Sequence, residues 1–318
     1  MASSMVDHFS TSNPDTGFGN QPGQFGGRFM NKDGSFNLKK TGAPFFKRAS
    51  FYSYLLEISW IKFITMIILF YIVVNLLFAA GYLLIGEEQL QGLVSHGYWS
   101  RARELFYFST QTFTTVGYGR INPVGDSSDL LASIQAMGGW LFFALVTGLL
   151  YGRFTRPQAY IDFSENALIA PYTTGKGLMF RLVPYKSNHH LSDVQVVVNL
   201  SYVLMKDGKP EYAFYKLGLE RSRVDMFNMN WTVVHPIDEQ SPLANFAKED
   251  LEKADIEILV QVSGFNPIFS NVVMQRTSYT YKEIIWGAKF KPMYHESDDG
   301  MTTILELNKL NHYEQAEL

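Results

Sequence analysis

Two stretches of this chain run too long without charge to sit easily in a water-soluble fold. Residues 60–85 carry Lys62 as their only charge, and residues 130–151 carry none. A helix rises 1.5 Å per residue, so about 20 apolar residues cross the ~30 Å hydrocarbon layer of a bilayer. Each stretch is long enough to span. Two such runs in one short region argue against buried core helices of a soluble protein. Overall composition hides this: 47% of residues are hydrophobic, an ordinary value, but they are unevenly placed.

The flanks suggest an orientation. Lys39, Lys40, Lys47 and Arg48 precede the first run, and Arg153 and Arg156 follow the second. Two spans return the chain to the side it started from, and the positive-inside rule puts that side in the cytoplasm. Arg101, Arg103 and Arg120 lie in the intervening loop and weaken the asymmetry. Lys62, near the inner end of its helix, would snorkel to the headgroups. Residues 45–56 mix aromatic, basic and aliphatic side chains, which suits a helix lying in the interface or the start of the spanning helix itself.

The loop between the spans carries the functional signal. Residues 103–114 are apolar enough to re-enter the membrane and too short to cross it, with Glu104 suited to a helix N-terminus. Thr115, Val116, Gly117, Tyr118 and Gly119 follow. A dehydrated potassium ion needs a ring of oxygens that replaces its water shell without trapping it. Consecutive backbone carbonyls supply this if the chain turns them all one way, which glycine permits. Thr115 would add a hydroxyl at the inner end, while Val116 and Tyr118 would pack behind the filter. Thr115, Val116, Gly117 and Tyr118 would then hold K+. One chain provides one such loop and a ring needs four, so a homotetramer is expected. Irregular backbone at membrane depth is tolerated where it lines a cavity or is buried in protein, which also points to a pore.

After Pro157 the character changes. Residues 193–204, 256–262, 278–281 and 302–307 are β-branched and partly alternating, and 175–177, 207–208 and 297–300 carry turn signals. Short strands between turns predict an all-β sandwich. The first 40 or so residues, rich in Gly, Ser, Asn and Asp, read as a disordered tail, and no apolar segment after Met1 suggests a secretory signal. The expected domains are a tail over 1–44, a slide helix and pore domain over 45–157, a β-sandwich over 158–310 and a short tail over 311–318.

The sequence gives little support to other classes. A net charge of −3 gives no reason to expect a nucleic-acid partner. With no cysteine there is no disulfide, thiolate metal site or cysteine nucleophile. His189 and His190 have no carboxylate company, and His235 and Asp238 lack a nucleophile signature. The segment 175–177 lacks the rest of a phosphate loop. No enzyme and no cofactor are expected. A membrane-anchored β-domain sensor is the competing class, and it leaves 115–119 unexplained.

From about residue 45 to 310 the chain resembles the inward-rectifier potassium channels, specifically their prokaryotic, KirBac-like branch. The resemblance rests on residues 114–119, on 153–157 (RFTRP), on 231–243 (WTVVHPIDEQSPL), on 275–279 (QRTSY) and on 283–287 (EIIWG). It implies a membrane two-span pore domain of the potassium-channel fold plus a cytoplasmic all-β immunoglobulin-like sandwich. It places the protein in a prokaryotic inner membrane as a multi-pass protein with both termini cytoplasmic. Phe143 falls where strong rectifiers carry a pore-facing acid that holds Mg2+ or polyamines, so weak rectification is implied. Tyr151 matches the bulky residue at the inner-helix bundle crossing, and Gly138, Gly139 and Gly148 offer bending or close packing. Phe265 and Phe269 match the girdle loop of the cytoplasmic vestibule. The family is regulated by phosphoinositides, which implies anionic-lipid contacts at Lys47, Arg48, Arg153 and Arg156, although such flanking charge is also ordinary positive-inside sequence. Block by Ba2+, Mg2+ or polyamines is a family expectation. Gln111 stands where relatives carry a glutamate behind the filter. Arg120 either rings the outer mouth with positive charge or pairs locally, with Asp126 as a candidate.

Overall fold

The computed structural model describes residues 28–39, 41–42, 44, 50–173, 175–206 and 209–318. Its contacts divide into two compact units, residues 41–156 and residues 1–40 with 157–318.

Among the described residues the first unit holds four α-helices: α1 (Phe51–Glu57), α2 (Trp60–Ile85), α3 (Tyr98–Phe113) and α4 (Asp126–Phe154). Helices α2 and α4 have the length and hydropathy of membrane spans, and most of their surface is left uncovered by the rest of this chain. Ile61, Leu77 and Leu84 project outward at 67–87% exposure and leave an apolar face uncovered. Their 26 and 29 residues correspond to about 39 and 44 Å of helix. The acids Asp126 and Asp129 at the start of α4 and Arg153 at its end complement the helix dipole.

Helix α1 is separate from the first span. Ile58 and Ser59 leave helical geometry, with ψ near 150° at both, and break the chain between them. Ser50 caps α1, accepting from the Ser53 N–H at 3.3 Å. Its outer face, Phe51, Tyr52 and Tyr54, is exposed, and Leu55 is buried.

The second unit is an all-β domain. We label the strands of its two five-stranded sheets β1 (Ile161–Phe163), β2 (Ala167–Tyr172), β3 (Gly175–Pro184), β4 (Leu191–Lys206), β5 (Lys209–Lys216), β6 (Arg223–Phe227), β7 (Trp231–Ile237), β8 (Glu257–Asn266), β9 (Asn271–Thr280) and β10 (Ile284–Trp286). One sheet runs β9-β8-β4-β5 with β6 also on β4, and the other runs β10-β2-β3-β1 with β7 also on β3. Every pair is antiparallel except β10 with β2. Alternate residues Val194, Val196, Val198 and Leu200 of β4 face inward and meet Ile169, Leu178, Phe180 and Leu182 of the other sheet in one buried core. The glycines at 175 and 177, read above as a turn, lie instead inside β3. Gly177 pairs with both Ala170 and Pro236, between strands where Tyr172 and Val234 leave little room for a side chain. The turn signal at 207–208 lies outside the described residues.

The expected disordered tail needs a correction. Residues 28–38 dock on the β-domain as a strap. The buried Glu257 carboxylate accepts the Phe29 N–H at 2.6 Å and the Met30 N–H at 3.0 Å. Arg28 donates to the Ser278 carbonyl at 2.7 Å and pairs with Glu283 at 3.1 Å. Met30 is 3% exposed and packs with Phe214 and Leu259. A few apolar residues and one arginine thus order a segment whose average composition is polar.

Glu257→Ala would leave two backbone donors without acceptors, at about 1–3 kcal/mol each. Hydrogen exchange of residues 28–38 is therefore expected to accelerate about ten-fold or more; unchanged protection would remove Glu257 as the clip. Burial alone would raise the Glu283 carboxyl, but the Thr280 N–H, Arg28 and Lys32 outweigh it and hold it below its ordinary value. Its contribution is present at neutral pH and is lost as pH falls below the usual carboxylate range.

Candidate ion pathway

Helix α3 spans 16 residues, about 24 Å, too short to cross a bilayer. Gly97 is its N-cap and Thr114 its C-cap, whose N–H returns to the Thr110 carbonyl. The chain then folds back on the helix end. The N–H groups of Thr115, Val116 and Gly117 reach the carbonyls of Thr112 (3.0 Å), Gln111 (2.9 Å) and Gln111 (3.4 Å). The main-chain carbonyl of Gln111 thus anchors the start of segment 115–119.

The backbone of 115–119 alternates. Thr115, Gly117 and Gly119 have φ of +59°, +55° and +81°, and Val116 and Tyr118 between them are not left-handed. Alternation of left- and right-handed residues turns successive carbonyls to the same side of an extended strand. Two of the three left-handed positions are glycine, which bears no Cβ penalty there. Val116 and Tyr118 are 53% and 77% exposed, so the described residues of this chain cover little of Tyr118 and only about half of Val116. At the outer end Asn122 donates to the Gly119 carbonyl at 2.9 Å.

A buried polar cluster ties the three long helices together. Ser109 of α3 donates to the Asn75 side-chain oxygen of α2 at 2.9 Å. Gln135 of α4 donates to the Ser109 carbonyl at 2.9 Å and accepts from Tyr82 at 2.8 Å. Asn75, Ser109 and Gln135 have no exposed surface. In an apolar environment such groups must satisfy one another, and here they fix the depth of α3. Helix α4 comes closest at Gly139, where a Cβ would lie 1.8 Å from the Phe113 carbonyl oxygen.

Glu104 is the seventh residue of α3, beyond its first turn. Its carboxylate accepts the loop N–H groups of Val94 (3.3 Å) and Ser95 (3.0 Å) and pairs with Arg120 at 2.5 Å. Arg120 therefore pairs with Glu104 and not with Asp126.

Along α4, Phe142 stacks on Phe70 and lies tilted against Phe113, while its neighbour Phe143 points away and is 54% exposed. Tyr151, two turns on, is 71% exposed. The helix continues unbroken through Gly138, Gly139 and Gly148; a Cβ on Gly138 or Gly148 would meet nothing in this chain.

The basic residues separate by environment. Lys47 and Arg48 lie outside the described residues. Arg153 spends its guanidinium on the Leu55 and Ile58 carbonyls, at 2.5 and 2.6 Å, and lies over the rings of Trp60 and Phe63. It caps the end of α1, a role the sequence alone does not indicate. Arg156 pairs with Glu57 at 3.5 Å, and both are open to solvent.

In the β-domain, Phe265 is exposed near the end of β8, and Phe269 follows in the β8–β9 turn. Phe269 lies over His189, which also packs against Tyr160 at 4.5 Å between ring centres. His189 is thus held against the β8–β9 turn, where the sequence suggests only a solvated turn. His235 bridges the Gly218 carbonyl and the Ser241 hydroxyl, a structural task. Among the described residues no cluster of three or more His, Asp or Glu is placed to hold a metal.

Comparison with known proteins places this geometry in context. The inward rectifier potassium channel C-terminal domain matches residues 161–317, and an ion channel domain matches residues 66–156. The chain is 35% identical over 292 residues to the inward rectifier potassium channel Kirbac3.1 of Paramagnetospirillum magnetotacticum, covering 91% of this chain and 96% of that protein. It is 28% identical over 204 residues to inward rectifier potassium channel 4 of Homo sapiens, covering 60% of this chain and 45% of that longer protein.

Proposed function

This chain belongs to the prokaryotic, KirBac-like branch of the inward-rectifier potassium channels, and from that premise we propose that it is one subunit of a tetrameric potassium-selective pore. The observation that carries the reading is the alternating backbone at 115–119, tethered to the end of a re-entrant helix. Four copies around an axis would present stacked rings of carbonyl oxygen to K+. The C-terminal end of α3 aims its negative dipole at the same region, which favours a cation. In the tetramer a neighbouring subunit would cover Val116 and Tyr118.

The exposed face of α4 lines the inner pore in this reading. Four Tyr151 side chains close it at the bundle crossing, by bulk or by dewetting. Phe143 leaves that pore without an acid, so Mg2+ and polyamines are held weakly. The β-domain is cytoplasmic and modulates the gate, with Phe265 and Phe269 at the narrow point of its vestibule. Anionic lipids, phosphoinositides among them, contact the basic inner flank at Lys47, Arg48 and Arg156, while Arg153 works there by holding α1. The protein resides in the inner membrane with both termini in the cytoplasm, and Ba2+ blocks it from within the filter. The family relationship supports K+ as the permeant ion; the reading needs no cofactor and no catalytic residue.

Planar-bilayer recording with K+ on one side and Na+ on the other tests the reading. A reversal potential displaced toward the potassium equilibrium value is expected, and zero displacement would overturn it. Internal spermine is expected to leave outward current largely intact. Steep voltage-dependent block would contradict the role given to Phe143.

A further inference from the structure

Arg120 directly follows the last filter glycine, so a tetramer would carry four guanidinium groups around its outer mouth. Left free, they would repel the ions the filter conducts. The carboxylate that meets them is the better fixed partner. Glu104 is 5% exposed, and the loop N–H groups of Val94 and Ser95 hold its oxygens. The Arg120 side chain is half exposed and reaches back to it, with Nη1 at 2.5 Å. The backbone of Arg120 is also confined, since a Cβ on Gly92 would lie 1.7 Å from its carbonyl oxygen. The charge centre of Arg120 is therefore set by where Glu104 sits.

We propose that Glu104 is a positioning residue of the outer pore: it holds Arg120 in an ion pair and so cancels a ring of positive charge that would otherwise slow potassium entry. The inference rests on the tetrameric channel reading. A contact ion pair presents a dipole to the passing ion, and a dipole field falls off faster than that of a lone charge. Removing the carboxylate converts four dipoles into four net positive charges.

The test is single-channel conductance for inward K+ current in planar bilayers, at low and at high ionic strength. Glu104→Gln is expected to lower inward conductance by about two-fold or more at low ionic strength, where the Debye length approaches 30 Å. The deficit should shrink near 1 M salt, where that length is about 3 Å. The double variant Glu104→Gln/Arg120→Gln, which has no charge to unmask, is expected to recover wild-type conductance. Wild-type conductance in Glu104→Gln at both ionic strengths would overturn the proposal. So would a double variant as impaired as the single one, the mark of a purely structural role. If Glu104→Gln does not assemble, Arg120→Gln serves instead: it leaves the carboxylate uncompensated and should raise inward conductance at low ionic strength, and no rise would overturn the proposal. A wild-type protein without K+-selective current would be a failure of the channel reading, separate from any of these outcomes.

Discussion

Gly117→Ala is expected to reduce potassium flux to the level of protein-free liposomes. Gly117 has φ +55°, a left-handed conformation that costs an L-residue about 1–2 kcal/mol. That energy alone would not unfold a membrane protein. The filter, however, has a low-cost way to escape it, by rotating the peptide plane and turning a carbonyl away from the pore. In the proposed four-fold ring every subunit would carry the same defect, so a whole layer of ligand oxygen would be lost. Helices α2 and α4 do not depend on Gly117, whose Cβ position has no neighbour within 4 Å in this chain. The variant should therefore assemble and remain as heat-stable as wild type, yet fail to conduct. Flux near wild type would mean that the carbonyls at 115–119 do not bind the ion.

Gly139→Ala is expected to fail for a different reason. Its Cβ would sit 1.8 Å from the Phe113 carbonyl oxygen and 2.7 Å from the carbonyl carbon, both backbone atoms at the end of α3. No rotamer change relieves that contact, so α3 or α4 must move by more than an ångström. Such a shift strains the Ser109–Gln135 hydrogen bonds nearby and displaces the filter tethered to Gln111. Overpacking of this kind costs about 1–3 kcal/mol or more, and here it acts in each subunit. Reduced thermal stability in detergent together with lost flux is the expected pair of results. A variant that keeps both would show that the close approach of α4 to α3 does not support the pore. Gly138→Ala, one residue away and facing open space, is the control and should be tolerated in the isolated subunit fold.

Some of this was legible in the sequence because it depends on local pattern. Hydropathy alone marks α2 and α4, since no other segment is apolar for so long. The filter is legible because its chemistry lies in five consecutive residues. The β-domain shows through the alternation in β4. What could not be read depends on distant partners. Residues 28–38 look like tail because the acid that clips them, Glu257, lies more than 200 residues away, and the apolar partners of Met30 in that cluster include Phe214 and Leu259, which are equally remote in sequence. Arg120 finds Glu104 only because α3 folds back beside the filter. Arg153 looks like membrane-flanking charge until α1 brings two terminal carbonyls to it. The glycines at 175 and 177 have the composition of a turn but the spacing of a strand, where β2 and β7 press from both sides. In each case composition reports what a segment would do alone, and tertiary contacts decide otherwise.

If residues 115–119 form a potassium-selective pore, proteoliposomes carrying the protein should take up rubidium. Liposomes loaded with K+ and diluted into Na+ with trace rubidium should accumulate the tracer through the protein. Barium should stop the accumulation, and excess external K+, but not excess Na+, should compete with it. No selective uptake across membranes with and without anionic lipid would contradict the account and favour a β-domain sensor merely anchored by two helices.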